Sequence, residues 1–169
     1  MYLKKITLFV IFAIFISGCA TVPSSAPIVG SAAERFFSNP QKGNGVIYFS
    51  CGKWFTKSAL LDAEDDLPTC EFVINDRQYS QLKKGTVGKL ELPNGKYSIK
   101  QAEGSMSVSI ATSVELKESD VLLAVGEFTQ KSGLSGGALS GNHVFSVALS
   151  QISIDNIKHK KPVLMAPIN

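Results

Sequence analysis

Hydrophobic residues along most of the chain occur in short runs that alternate with polar positions. Two runs are almost continuous instead. Residues 46–51 are rich in β-branched and aromatic side chains, and residues 121–125 are all apolar. Alternation is typical of a strand with one buried face, whereas a short continuous run indicates a strand buried on both faces. With turn signals every 8–12 residues or so, the pattern predicts an all-β protein, a single antiparallel β-sandwich of about eight short strands.

Turn residues predict where several of these strands end. Asn94 and Gly95 lie between two alternating runs, which is the strongest local signal for a hairpin. Asn75 and Asp76 predict a second turn, because both residue types tolerate left-handed backbone geometry. The acidic stretch 62–68 lacks the EF-hand calcium pattern, so we expect a solvated acidic loop there.

The first 18 residues follow a different pattern. Lys4 and Lys5 precede an apolar run at residues 6–16, which ends in the tetrapeptide Ile16-Ser17-Gly18-Cys19. That run has the length of a secretory signal core and is too short for a bilayer span, which needs about 20 apolar residues. Two small residues before Cys19 are what a signal peptidase requires at its cleavage site.

This tetrapeptide resembles the lipobox of bacterial lipoproteins. The resemblance implies cleavage before Cys19, a diacylglycerol thioether on its sulfur and acylation of its freed amine. Several acyl chains give stable membrane attachment, where one gives only marginal binding. An ordinary signal peptide with an incidental cysteine, or an uncleaved anchor, are the alternatives. Ala20 stands where such lipoproteins carry an inner-membrane retention aspartate, so we expect lipid anchoring in the outer membrane, on its periplasmic face.

Composition divides the chain into four parts. We predict a signal peptide at residues 1–18, a lipidated cysteine with a flexible tether at 19–44, the folded domain at 45–158 and a basic tail at 159–169. The tether assignment rests on its Pro, Ser, Gly and Asn content, which provides little apolar periodicity.

The charge of the mature protein narrows the possible partners. The full chain carries 17 basic and 14 acidic residues, and removing the signal with Lys4 and Lys5 leaves 15 basic ones. A nearly neutral domain excludes nucleic acid and a polybasic membrane interaction as partners. The expected partners are the membrane, through the lipid anchor, and a protein of the cell envelope.

Two cysteines remain once Cys19 is lipidated. Cys51 and Cys70 have neither the spacing of a redox motif nor companions for a zinc site. In an oxidising compartment they are predicted to form a structural disulfide, worth about 3 kcal/mol on the chain-entropy model. Two buried free thiols are the alternative.

Four segments of the domain carry a second resemblance. They are an opening strand at residues 45–49, a strand and turn at 72–76, a Leu-x-x-Gly step at 82–85 and a Leu-Pro-x-Gly-x-Tyr-x-Ile pattern at 92–99. Together they resemble small bacterial lipoproteins with a domain of unknown function, similar to PEGA-type and immunoglobulin-like β-sandwiches. The resemblance implies a fold and an envelope address, and no catalytic residue.

The sequence departs from that family in two places. Ser50 and Cys51 replace the arginine that usually follows the first strand, and the turn lacks the usual glycine after Asn75 and Asp76.

A glycine-rich stretch at residues 131–142 is predicted to be a surface loop and a candidate interaction element. Its candidate residues are Gly133, Ser135, Gly136, Gly137 and Gly141. Ser135 formally matches the GxSxG nucleophile elbow, and Asp155 and His159 follow in hydrolase order. The elbow requires a strand, a sharp turn and a helix, and so many glycines disfavour the helix. A serine hydrolase using Ser135 therefore stays only an alternative.

No metal or cofactor motif is identified. His143 and His159 are the only histidines and have no companions at ligand spacing. Tyr48, Trp54 and Phe55 are predicted to be core residues, with a glycan-binding face as the alternative. We therefore expect a non-enzymatic lipoprotein that acts as a binding or structural accessory of an envelope complex. A carrier of a hydrophobic or glycan ligand is the alternative.

Overall fold

A computed structural model provides the structure, which describes residues 25–57, 62–102, 107–135 and 138–168. The lipobox with Cys19, and the candidate residues Gly136 and Gly137, lie outside the described residues. The strands are β1 (Ala26–Pro27), β2 (Asn44–Lys57), β3 (Asp62–Asp66), β4 (Thr69–Cys70), β5 (Phe72–Ile74), β6 (Arg77–Gln78), β7 (Leu82–Lys83), β8 (Thr86–Pro93), β9 (Gly95–Gln101), β10 (Val108–Ser109), β11 (Thr112–Leu116), β12 (Val121–Ser135), β13 (Ala138–Gln151) and β14 (Lys161–Leu164); helix α1 is Ser31–Phe36 and a 3-10 turn spans Ile154–Asn156. The prediction of an all-β protein is confirmed.

The continuous apolar run at the start of β2 forms the middle of the largest sheet. Every residue from Val46 to Cys51 is buried. β8 pairs with the first half of β2 on one side and β12 pairs with β2 on the other. Both faces of this strand are covered, which explains why its sequence does not alternate.

This sheet is mixed rather than antiparallel. Its strand order is β1-β14-β8-β2-β12-β13-β10, and β3 pairs with the second half of β2. Three pairs are parallel, namely β2 with β12, β8 with β14 and β10 with β13. The prediction of purely antiparallel pairing was wrong, because the chain pairs outside this sheet at β9 and β11 before β12 enters beside β2 in the same direction.

Residues from two sheets build the larger hydrophobic cluster. The second sheet has the order β11-β9-β5-β6, and a separate pair joins β4 to β7. Phe49 of β2 contacts Phe72 of β5 with ring centroids 5.0 Å apart. Ile74 and Ile99 of the second sheet lie in the same cluster as Ile47 of the first.

The opposite face of the large sheet is covered by α1 and the region of the 3-10 turn. Phe36 of α1 and Ile157 are buried there with Val46 and Tyr48 of β2. The Tyr48 hydroxyl donates a 3.1 Å hydrogen bond to the backbone carbonyl of Phe36. This bond satisfies the phenol of a completely buried side chain.

The domain is longer at both ends than the sequence predicted. The predicted tether at residues 19–44 and the predicted basic tail at 159–169 pair with each other, since β1 and β14 are antiparallel neighbours. Val163 and Met165 of the predicted tail are buried in the larger cluster. The described chain is therefore folded from residue 25 to residue 168, and only residues 20–24 separate Cys19 from it.

Two local predictions were also wrong. Asn94 and Gly95 do not close a hairpin, because β8 belongs to the large sheet and β9 to the second one. The acidic stretch is not a loop, since β3 pairs with β2 from Lys53 to Lys57. The turn at Asn75 and Asp76 is confirmed, with φ values of 46° and 65° in the left-handed region.

The predicted disulfide is confirmed. Cys51 and Cys70 are bonded, with their Cα atoms 5.6 Å apart. Both cysteines lie in the larger cluster, so the bond ties the centre of β2 to β4 beside the second sheet.

Among the described residues, no helix has the length and hydrophobicity needed to cross a membrane.

Candidate functional site

The second half of β2 continues beyond the main core with β3, β12 and β13, and one face of this extension carries two rows of side chains. The cross-strand register places Trp54 opposite both Asp65 and Phe128, and Phe128 opposite Phe145. Residues opposite each other in register share a face of the sheet. We call the set Asp65, Trp54, Phe128 and Phe145 the aromatic row.

The second row lies two residues further along each strand. Thr56 is opposite Ala63 and Gln130, and Gln130 is opposite His143. Because side chains alternate between faces, a shift of two residues keeps this row on the same face as the first. We call the set Ala63, Thr56, Gln130 and His143 the polar row, and both rows together the distal face.

The rings of the distal face contact one another. Trp54 meets Phe128 edge to face at 4.9 Å between centroids, Phe145 lies 4.7 Å from Phe128, and His143 lies 5.6 Å from it. Phe128 is buried with 8% exposure, whereas Trp54 is 37% exposed. Phe128 therefore packs against the indole from the core side, and part of the Trp54 ring surface faces solvent.

A cavity of about 290 Å³ opens beside the indole, between β2 and β3. It is lined by Trp54, Thr56, Ala63 and Asp65. A hydroxyl, a carboxylate and an exposed aromatic ring thus share one concavity. Small-molecule sites typically combine an aromatic wall with a few polar groups in this way.

Ion pairs fix β3 to β2 next to this cavity. Lys53 lies 3.1 Å from Glu64 and 3.2 Å from Asp66, and Lys84 contacts Asp66 at 2.6 Å. Hydrogen bonds from Lys84 and Lys53 lower the pKa of Asp66, and hydrogen bonds to Glu64 and Asp66 raise the pKa of Lys53. Lys53, Glu64 and Asp66 alternate along their strands with the distal-face residues Trp54 and Asp65.

Asp65 contributes the carboxylate of the distal face. Its Oδ1 accepts a 2.7 Å hydrogen bond from the backbone N–H of Asp66. The side chain is exposed. Its charge makes the cavity unfavourable for an anion.

A buried glutamine holds the support of the aromatic row in place. The register of β12 against β2 shifts between Gly126 and Phe128, which leaves Glu127 in an irregular position. The side-chain amide of Gln101 donates to the carbonyls of Glu127 at 2.7 Å and Ser146 at 2.8 Å. Gln101 is 1% exposed.

Sequence reasoning missed this role of Gln101. The residue ends an alternating strand, and nothing local indicates that its amide serves an irregularity in β12. A Cβ at Gly126 would lie 2.8 Å from its Oε1. The glycine is the one trace of this close packing in the sequence.

The glycine-rich stretch is not the predicted loop where the structure describes it. β12 and β13 form a continuous antiparallel ladder that includes Gly133 opposite Ser140, Ser135 opposite Ala138 and Gly141 opposite Ser132. The chain is extended on both sides of residues 136–137. Backbone pairing with a partner strand stabilises this extended geometry even at glycines.

The hydrolase arrangement is not assembled. Ser135 is followed by the strand β13, where a nucleophile elbow leads into a helix. Asp155 follows Ile152, which hydrogen-bonds to Val121 at the opposite end of β12. Fourteen residue steps of strand, roughly 45 Å, separate Val121 from Ser135. Asp155 forms an ion pair with Lys158 at 2.7 Å.

The other predicted residues are placed as follows. Tyr48 is a core residue as expected, whereas Trp54 lies on the distal face. His143 lies in β13 on that same face. In the part of the chain that the structure describes, no group of three metal-ligating side chains comes together.

Comparison with known proteins gives no match to any family model, to any curated protein or to any solved structure.

Proposed function

We propose that this protein is a lipid-anchored, non-enzymatic binding protein of the cell envelope, and that its ligand is an uncharged saccharide held on the distal face. The lipobox at Cys19 supports the anchor, and Ala20 supports the outer membrane. The two sheets that share one hydrophobic cluster support a β-sandwich as the scaffold of this site.

The pairing of an exposed indole with a parallel row of polar side chains is the observation that carries the proposal. A pyranose ring has an apolar face of C–H groups and a rim of hydroxyls. Trp54 offers a flat surface for the C–H face, and Thr56, Gln130 and His143 offer donors and acceptors for the hydroxyls. An indole that only closed the core would be buried like Phe128.

Charge restricts the saccharide class. Asp65 belongs to the aromatic row, and its carboxylate lines the cavity beside the indole. Like charges repel in so exposed a setting by roughly 1 kcal/mol, so acidic sugars are disfavoured. We therefore expect neutral hexoses or N-acetylhexosamines.

Intrinsic fluorescence gives a direct test, because Trp54 is the only tryptophan of the chain. Neutral oligosaccharides of glucose and of N-acetylglucosamine would be titrated into the mature domain, with polyuronic acids in parallel. We expect a saturable change in Trp54 emission with the neutral oligomers and none with the acidic ones. Gln130→Ala should weaken the response, while Val108→Ala, on the outer strand β10, should leave it unchanged. No saturable change with any neutral oligomer would refute the saccharide.

A second candidate, the structural accessory of an envelope complex, is favoured by one observation. Val108 and Ile110 are 65% and 53% exposed on and beside β10, the last strand of the large sheet. Exposed apolar residues at a sheet edge suit the addition of a strand from another protein. Crosslinking in the native envelope, with Cys19→Ser as the unanchored control, would identify such a partner. The carrier of a purely hydrophobic ligand has no comparable support, and Ser135 has none as a nucleophile.

A further inference from the structure

The first described residue is held firmly to the domain. The Ser25 backbone N–H and hydroxyl both donate to the carbonyl of Gln81, at 3.0 and 2.9 Å, and the hydroxyl lies 3.0 Å from that of Ser80. Ala26 then pairs with Leu164 at the outer edge of the large sheet. Ser25 is therefore fixed to the β1 edge of the fold, and the described residues that follow it do not serve as a tether.

This entry point limits how far the domain can stand from its anchor. Six peptide units connect Cys19 to Ser25, and a fully extended chain advances about 3.5 Å per residue, so they span about 20 Å at most. If Cys19 carries the lipid, as the proposed function requires, the β1 edge cannot leave the neighbourhood of the headgroups. We propose that this edge is a membrane-contact surface for an anionic bilayer. The contact orients the domain with its β1 edge facing the bilayer.

The side chains at this edge have the chemistry that an anionic interface favours. Val29 and Leu164 are large aliphatic side chains, and they are 77% and 57% exposed. Lys83 and Lys161 line a groove of about 220 Å³ together with Ser25. Apolar burial combined with attraction between lysines and anionic headgroups is the usual basis of interfacial binding.

The opposite edge serves as a natural control. β1 and β10 are the first and last strands of the seven in the main path of the sheet, so six spacings of about 4.8 Å place them about 29 Å apart. Val108 at β10 is as exposed as Leu164 at β14. Hydrophobicity alone does not distinguish the two edges, whereas the length of the link does.

The test uses the full-length lipoprotein, with lipidation at Cys19 first verified by mass spectrometry. Leu164→Cys and Val108→Cys would each be labelled with an environment-sensitive fluorophore. The labelled proteins would be reconstituted into phosphatidylcholine–phosphatidylglycerol vesicles. Some of the lipids would carry nitroxide-labelled acyl chains, which quench a fluorophore that contacts the bilayer. We expect a blue shift and loss of most of the emission at position 164, and no change at position 108. Insertion of a long Gly-Ser segment after Ala20 should abolish the effect at 164.

The outcomes separate this proposal from the one on which it rests. A lipidated protein with equal emission at both positions overturns the contact surface and leaves the proposed address intact. A chain without lipid at Cys19 overturns both. A shift at position 164 that follows protein concentration rather than vesicle concentration overturns the membrane contact in favour of pairing between two copies along β1. Quenching at position 164 that persists with neutral vesicles overturns the role of Lys83 and Lys161.

Discussion

The indole of Trp54 stands edge to face on the ring of Phe128, with 4.9 Å between the ring centroids. The two residues are also direct partners in the parallel pairing of β2 with β12. One ring is buried and the other exposed, so the pair links the hydrophobic core to the outer surface. A ligand bound at the indole, as proposed, would contact a ring that is already held in place, which lowers the conformational entropy lost on binding.

Replacing Trp54 by alanine should abolish saccharide binding while the domain remains folded. The indole provides the stacking surface, but its exposure limits the loss of folding free energy to about 1–2 kcal/mol. Isothermal titration calorimetry measures the binding, since the variant lacks the fluorophore. Urea unfolding followed by circular dichroism measures the stability.

Trp54→Phe is the matched control, because it retains an aromatic face at the same position. We expect weakened rather than abolished binding in this variant. Full binding by the alanine variant would exclude the distal face as the saccharide site.

The disulfide should account for a large part of the stability of the domain. Replacing Cys51 and Cys70 together by serine removes a cross-link that closes a loop of 19 positions. The chain-entropy model predicts a loss of about 3 kcal/mol, and the polar serines in a buried site add to it. The midpoint of urea unfolding would report the loss, and reducing agent should shift the wild type in the same direction. If complete reduction of the disulfide left the urea midpoint of the wild type unchanged, this prediction would be contradicted.

The sequence predicted the strands with a strong local pattern and missed the pairings between distant segments. The β2 run is a buried central strand because its side chains favour strands and are covered on both faces, and its composition alone indicates this. The sequence predicts a tether and a tail where β1 and β14 lie, because Pro27 and Lys161 are typical of irregular, solvated chain. Their pairing depends on each other and on the edge that β8 provides, which no local window contains.

The same limit applies to the candidate site. The sequence predicts Trp54 as a core residue, with a glycan-binding face as the alternative, and only the register of β2 with β12 and β3 places the residue on the distal face. The nearly neutral charge of the whole domain also concealed the position of Lys83 and Lys161 together at one edge. Gln101 gave no signal, because its partners are two carbonyls on different strands.

Gln101→Leu should destabilise the domain more than a surface change of similar size. The substitution is close to isosteric, yet it leaves the carbonyls of Glu127 and Ser146 without the amide that donates to them in a buried setting. Leaving buried polar groups unsatisfied costs about 1–3 kcal/mol each. Phe128 adjoins Glu127, so the emission maximum of Trp54 should shift as well.

Gln78→Leu is the matched control for this change. Gln78 is only half-buried and its amide donates to the Glu71 carboxylate at 3.0 Å. We expect a loss below about 1 kcal/mol and no shift in Trp54 emission. Equal losses of stability in the two variants would show that Gln101 has no special role in supporting β12.

The stability of the domain should fall as the pH rises from about 10 to about 12, and Tyr48 should cause part of this fall. Burial, with a smaller contribution from Glu91, raises the pKa of Tyr48 from 10.0 to about 12. The unfolded chain loses the phenolic proton first, so within this window it binds fewer protons than the native state, and stability declines. Below about pH 10 the contribution is fully present, and its complete loss amounts to about 3 kcal/mol. Urea midpoints at several alkaline pH values would measure the slope.

Tyr48→Phe loses the hydrogen bond to the Phe36 carbonyl, so it should be less stable at neutral pH, yet it should show a shallower alkaline decline than the wild type. Parallel declines in the two proteins would mean that the fall in stability arises from other titrating groups and that Tyr48 ionises with an ordinary pKa.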